Sequence, residues 1–241
     1  MRYFIELSYH GKNYHGWQIQ PDAISVQQKV NTALSIMLQK EINVVGAGRT
    51  DTGVHASQMF AHFDLEKQVV DNAVFKLNSI LPKDIVVYQV FLVEDEKHAR
   101  FDALSRSYEY KISLGRNPFL VDFSWQIHTQ RFDIDAMNEA AKLLLEYKDF
   151  ESFSKVKTDV YTFICDITEA VWTQKENELI FHISANRFLR NMVRAIVGTL
   201  LEVGSGKISI EDFRQIIESK NRSKAGLSVP AKGLFLTAIK Y

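Results

Sequence analysis

With a single cysteine in 241 residues, Cys165, the chain cannot form an internal disulfide or a metal site built on several thiolates. That scarcity points to a reducing compartment. Nowhere does a run of about 18 uncharged apolar residues occur that would span a bilayer. The apolar opening Met1 to Leu7 is broken by Glu6 and supplies no signal-peptide core. The expectation is therefore a cytoplasmic protein with no membrane partner. An excess of charge of either sign is also missing, since Lys and Arg total 29 and Asp and Glu total 29. No global field draws the chain to polyanions, and any contact with nucleic acid must come from a local basic surface. The seven histidines never fall at His-x-x-x-His or His-Glu-x-x-His spacing, so no metal is expected. Neither a Gly-x-x-x-x-Gly-Lys-Ser/Thr phosphate loop nor a Gly-x-Gly-x-x-Gly loop after a strand occurs, and there is no Gly-x-Ser-x-Gly elbow. Nucleotide-cofactor chemistry has no support.

What is present suffices for one large core or two smaller ones, because 46% of the residues are hydrophobic. Tyr3, Ile5, Leu7 and Tyr9 alternate with more polar neighbours, apart from Phe4, at the period of a half-buried strand. Ser25 and Gln28 make a capping box for a helix carrying Val26, Val30, Ala33, Leu34, Met37 and Leu38 on one side. Val44-Val45 feeds a glycine-flanked loop from Gly46 to Gly53. Further strands are read at Met59–Phe63, Ile85–Val93, around Tyr108–Ile112, Cys165–Trp172, Leu179–Ala185 and Leu234–Ile239. Helices are read at Asp71–Leu81, stopped by Pro82, at Asp133–Leu145, Arg187–Val203 and Glu211–Ser219. Strict βαβ alternation is absent and both halves mix strands with helices, which suggests two related α+β lobes. The boundary is placed between Ala103 and Asn117, giving an N-terminal lobe at 1–104 and a C-terminal lobe at 105–241.

Three segments carry groups suited to chemistry. In Gly48-Arg49-Thr50-Asp51-Thr52-Gly53-Val54-His55 one carboxylate lies between Arg49 and His55, with glycines that let the backbone turn sharply. Such a loop either presents Asp51 or is an ordinary Asx-type turn. Arg187, Arg190 and Arg194 fall within about 60° of one another on a helical wheel, which gives the expected helix a cationic stripe. A stripe of that kind is either a solvated face or, since the segment is so apolar beyond Arg194, holds a guanidinium near the core that needs an anion such as Asp51. The run from His98 through Arg100, Phe101 and Arg106 to Tyr110 interleaves cations with aromatics, a mixture that neutralises phosphates and stacks on unpaired bases. Tyr108 and Tyr110 fit a buried strand face as well as they fit a base-stacking role.

Taken in order, these segments resemble the bacterial tRNA pseudouridine synthase A (TruA) family over nearly the whole chain. Tyr9-His10-Gly11-Lys12-Asn13-Tyr14-His15-Gly16-Trp17-Gln18 with Ser25-Val26-Gln27 is similar to the family's opening, and Gly48 to Asp51 with Gly53-Val54-His55 to its catalytic signature. His98-Ala99-Arg100-Phe101 with Arg106 and Tyr108-Glu109-Tyr110 is similar to the second segment. Asn191-Met192-Val193-Arg194 with Ile196-Val197-Gly198, and Gly233-Leu234-Phe235-Leu236, are similar to the third and fourth. The resemblance implies the pseudouridine synthase fold: α+β, two related lobes with mixed, mainly antiparallel sheets around a central basic cleft, helices on the outer faces. It makes Asp51 the essential aspartate, Arg49 its neighbour at the RNA, Tyr108 the aromatic group against the target base and Arg194 the partner of Asp51. Leu234 and Phe235 would line the pocket, and His98, Arg100, Phe101, Arg106, Arg187, Arg190, Lys155 and Lys157 would touch RNA. Thr52 stands where many members have alanine. The implied activity is cofactor-free isomerisation of uridine to pseudouridine at positions 38–40 in the anticodon arm of tRNA, by a homodimer. Two other readings fit the residues: an RNA-binding or RNA-folding protein that keeps the pocket without catalysis, and a metal-independent hydrolase using Asp51 and His55.

Overall fold

A computed structural model describes residues 1–66, 68–69, 71–128, 131–156 and 160–241. Lys157 lies outside the described residues. Among them the chain forms nine strands and five α-helices. It divides into two compact units, Met1–Leu104 with Phe235–Tyr241, and Ser105–Leu234.

In the first unit, β1 (Arg2–Tyr9) is flanked on both sides by antiparallel partners, β3 (His55–Asp64) and β4 (Ile85–Val93). The short β2 (Val45–Gly46) pairs antiparallel with β3, and β9 (Leu234–Lys240) runs parallel to β3, with Phe235 beside His55. The alternation read in β1 holds: Tyr3, Ile5, Leu7 and Tyr9 are all buried. Phe4, the exception in the pattern, is buried as well, among the rings of His62, Phe91 and Tyr241 on the strand's other face. Full burial of a side chain such as Ile5 or Leu7 stabilises by roughly 1.5–3 kcal/mol. The helix α1 (Val26–Leu38) starts where Ser25 Oγ accepts the Gln28 N–H, and it packs with α2 (Ala73–Ile80), which lies against β4. The Asn78 amide on α2 bonds both backbone groups of Val87, at 2.8 Å each.

The second unit repeats this device. There β5 (Ser105–Leu114), β8 (Glu178–Ala185) and β7 (Ile167–Lys175) form an antiparallel order, and β6 (Trp125–Ile127) runs parallel to β5. On α3 (Ile134–Leu143) the Asn138 amide bonds both backbone groups of Trp172 in β7, at 2.7 and 3.2 Å. The remaining helices are α4 (Met192–Gly204), almost wholly buried, and α5 (Ile210–Glu218), whose start is closed by a reciprocal capping box between Ser209 and Asp212. The fold is α+β with mixed, mostly antiparallel strands. No helix among the described residues is long and apolar enough to cross a membrane.

One expected helix needs correction. The apolar periodicity from Arg187 to Val203 becomes helix only at Met192, because Asn191 takes a left-handed conformation (φ +66). Arg187 and Arg190 therefore lie before the helix and share no helical stripe with Arg194. Lateral spacing mimicked a helical face here because Phe188 and Leu189 are packed for other reasons, Leu189 being 4% exposed and Phe188 meeting Tyr108 edge-on.

Candidate active site

The loop from Ala47 to Val54 is fixed from beneath by the opening segment Tyr9–Trp17. Tyr9 and Thr50 share a hydroxyl hydrogen bond of 2.8 Å, Trp17 N–H donates to the Thr50 carbonyl at 3.3 Å, and Gly53 N–H donates to the Tyr14 carbonyl at 3.3 Å. Val54 N–H closes a turn on the Asp51 carbonyl at 3.1 Å, and Gly53 at its third position has φ +77, which a side chain resists. Contact is close enough to require glycine in the floor itself. A Cβ on Gly16 would lie 2.2 Å from the Thr50 carbonyl oxygen, and one on Gly11 would lie 2.0 Å from that of Val54. Glycine at 48 answers to neither demand, since a Cβ there meets nothing within 4 Å. Asp51 thus sits half-buried on a backbone held by its neighbours, with Arg49 and Thr52 exposed on either side. Thr52, where alanine was the family expectation, is exposed.

His55 is 1% exposed. Its Nδ1 accepts the Gly11 N–H at 3.0 Å and its ring stacks on Phe235 with centroids 4.6 Å apart. The ring of His10 is equally close. These contacts make His55 part of the scaffold under Asp51, which weighs against its use as a hydrolytic base.

His98, Arg100 and Phe101 do come together, in one turn of the first unit. His98 Nδ1 accepts the N–H groups of Arg100 and Phe101 at 3.1 and 3.2 Å, and Asp102 accepts the His98 N–H at 2.8 Å. Phe101 is 75% exposed with the Arg100 guanidinium over its ring, while His98 packs against buried His62. His62 Nδ1 in turn accepts the Ala99 N–H at 3.2 Å. Burial, helped by His98 and Arg2, pushes His62 down to about 4 from the usual 6.5. Between those values the unfolded chain takes a proton that the folded chain refuses. Stability is therefore complete above pH 6.5 and falls as pH drops toward 4, by on the order of 3 kcal/mol at most. His62→Asn keeps an acceptor for the Ala99 N–H but does not titrate. Melting temperatures measured from pH 7 to 4.5 should fall less steeply for that variant; equal slopes would show that His62 is not the group responsible.

The second unit holds the other expected residues. On β5, Tyr110 is fully buried, donates its hydroxyl to the Pro230 carbonyl at 2.8 Å, and has its ionisation pushed well up by burial, with Arg194 pulling the other way. Tyr110 is the core tyrosine of the pair. Tyr108, two residues earlier, is half-buried against the edge of Phe188, with centroids 5.1 Å apart. Arg106 donates to the Asn186 carbonyl at 2.8 Å, and Arg187 to that of Thr162 at 3.3 Å. Exposed Arg190 and Lys155 are linked through their backbones, the Lys155 N–H donating to the Arg190 carbonyl at 3.1 Å. Arg194, in the first turn of α4, donates Nε to the Val229 carbonyl at 2.7 Å. Leu234 is 6% exposed. The loop 222–229, which holds Arg194 through Val229, was missed from sequence; its one local signal was Gly226.

A family model described as tRNA pseudouridine synthase matches residues 140–241. The tRNA pseudouridine synthase A of Bacteroides fragilis is 55% identical to this chain over 243 residues, covering 100% of the chain and 96% of the relative. The chain belongs to the tRNA pseudouridine synthase A family. The protein of that name from Parabacteroides distasonis is 53% identical over 100% of the chain and 96% of its own length. That from Bacillus subtilis is 37% identical over 100% of the chain and 99% of its own. Family membership read from four separated segments is thus upheld along the full length. The full-length relatives span both the Asp51 loop with its floor and the Arg194 helix, whereas the family model covers only the helix.

Proposed function

We propose that this chain is a tRNA pseudouridine synthase that isomerises uridine at positions 38–40 of the anticodon arm, with Asp51 as its carboxylate and no cofactor. The observation that carries the reading is full-length similarity to proteins named tRNA pseudouridine synthase A. The close contacts from the opening segment to the Asp51 loop support the role given to that residue. Breaking the bond from N1 to C1′, turning the uracil and joining C5 to C1′ leaves mass unchanged, with one proton lost from C5 and one gained at N1. The reaction needs no redox partner. A carboxylate serves it by attacking C1′ or C6, or by removing a ribose proton.

The target atoms are hidden in stacked RNA, so the uridine is extruded at a cost of a few kcal/mol, offset by stacking and backbone contacts. Tyr108 stacks on the base and assists proton loss from C5. Arg194 is the cation that partners the Asp51 carboxylate. Leu234 and Phe235 line the pocket. Arg49, His98, Arg100, Phe101, Arg106, Arg187, Arg190 and Lys155, with Lys157, contact the RNA. A homodimer in the cytoplasm, spreading the RNA over two subunits, completes the reading, on the strength of the family resemblance.

The test is tRNA carrying tritium at C5 of uridine, incubated with the chain and a chelator. Tritium should be released while the base stays attached, and pseudouridine should vanish from positions 38–40 in cells lacking the protein. Free uracil in place of a mass-neutral product would instead identify a hydrolase.

A further inference from the structure

Arg222 is a half-buried guanidinium that the described hydrogen bonds join only to neutral oxygens. Its Nη1 donates to the carbonyls of Ala225 and Gly226 at 3.2 and 3.1 Å, and its Nη2 to Ser228 Oγ at 2.9 Å. Ser228 Oγ also receives the side-chain amide of Asn191, the left-handed residue at which α4 begins. One residue on, Val229 closes a two-way link to the helix: its N–H donates to the Arg194 carbonyl at 3.2 Å and its carbonyl accepts Arg194 Nε at 2.7 Å. The loop is also pressed onto α4 at its centre. Gly226 N–H donates to Thr199 Oγ1 at 2.9 Å, and a Cβ on Gly198 would lie 1.8 Å from the Leu227 carbonyl oxygen.

A cation desolvated without an anion is costly, and burial lowers the pKa of Arg222. The protein gains a loop in which the Ala225 and Gly226 carbonyls and the Ser228 hydroxyl are tied to one planar fork. A lysine ammonium cannot reproduce that geometry. The loop ends in the carbonyl that orients the Arg194 side chain.

We infer that Arg222, acting through Ser228 and the Val229 carbonyl, is a positioning residue that sets the direction of the Arg194 guanidinium. The inference rests on the reading of Arg194 as the cation of the active site. Its effect on the reaction passes through Arg194.

The test is a double-mutant cycle on single-turnover pseudouridine formation in tRNA. Arg222→Gln is expected to slow the step by ~10- to 100-fold, the range that about 1 Å of misplacement produces. The loss should fall on the rate at saturating enzyme, with tRNA affinity within about threefold. Arg222→Lys should recover only part of the rate. In an Arg194→Lys background, Arg222→Gln should cost nothing more, because residues acting in series are not additive. Should Arg222→Gln fail to fold, Ser228→Ala, which removes the shared acceptor and leaves the guanidinium, is expected to slow the step by ~3- to 10-fold with the same lack of additivity. Full speed in Arg222→Gln, or losses that multiply in the double variant, overturns the inference while leaving the proposed function standing. Absence of turnover in the unmutated chain removes the proposed function itself.

Discussion

Asp51→Asn is expected to reduce tritium release from C5-labelled uridine in tRNA by ~10³-fold or more, and to leave tRNA affinity almost unchanged. The side chains are nearly isosteric, so the change removes charge and nucleophilicity without removing volume. The described contacts that fix the loop use other groups: the Thr50 hydroxyl and carbonyl, the Gly53 N–H, the His55 ring and the Asp51 carbonyl. Those contacts are untouched by the change, and the melting temperature of the variant checks that the loop keeps its floor. Binding to tRNA is dominated by phosphate contacts from exposed cations, and its dependence on salt should keep the same slope. A protein that binds or refolds RNA without catalysis predicts no such separation, since it has no release to lose. Release from Asp51→Asn equal to that of the unmutated chain would end the assignment of the carboxylate. Loss of release together with loss of binding would show that the side chain holds RNA instead.

Where local pattern decides structure, the sequence was readable. The alternation in β1, the Ser25 cap of α1 and the glycine-flanked turn at Asp51 each follow from residues adjacent in the chain. The turn at Asp51 was readable from its glycines, but its floor was not. Bonds from Tyr9 to Thr50 and from Gly11 to His55 join residues about forty positions apart, and spacing carries no trace of them. At Asn191 the difficulty is of another kind. Helical periodicity continues through it, and only its left-handed backbone reveals that Arg187 and Arg190 stand outside the helix. Tyr108 and Tyr110 were equivalent by pattern because both face the same way on β5; what separates them is that Tyr110 meets the Pro230 carbonyl and Tyr108 the edge of Phe188. The Arg222 loop was illegible for the same reason as the floor, since its oxygen partners are mostly backbone groups of residues with unremarkable side chains.

Gly16→Ala tests whether the floor does what its geometry implies. Two independent costs fall on that substitution. The backbone at Gly16 has φ +85, a conformation an alanine resists, and the new Cβ would lie 2.2 Å from the Thr50 carbonyl oxygen. Because that oxygen is backbone, relief requires the peptide carrying Thr50 into Asp51 to move. The expected loss of stability is roughly 2–4 kcal/mol, from the strained backbone and the overpacking together. Movement of the peptide displaces the carboxylate too, so turnover measured well below the melting temperature should fall by ~10²-fold. Gly48→Ala is the matched comparison, three residues from Asp51 on the other side. Its Cβ would meet no atom within 4 Å, and its backbone needs no positive φ. Stability of Gly48→Ala should stay within about 0.5 kcal/mol of the unmutated chain. Any slowing there must then come from the approach of RNA to the loop, whereas slowing in Gly16→Ala comes from beneath it. If Gly16→Ala melts normally and turns over at full speed, the opening segment does not hold Asp51 in place.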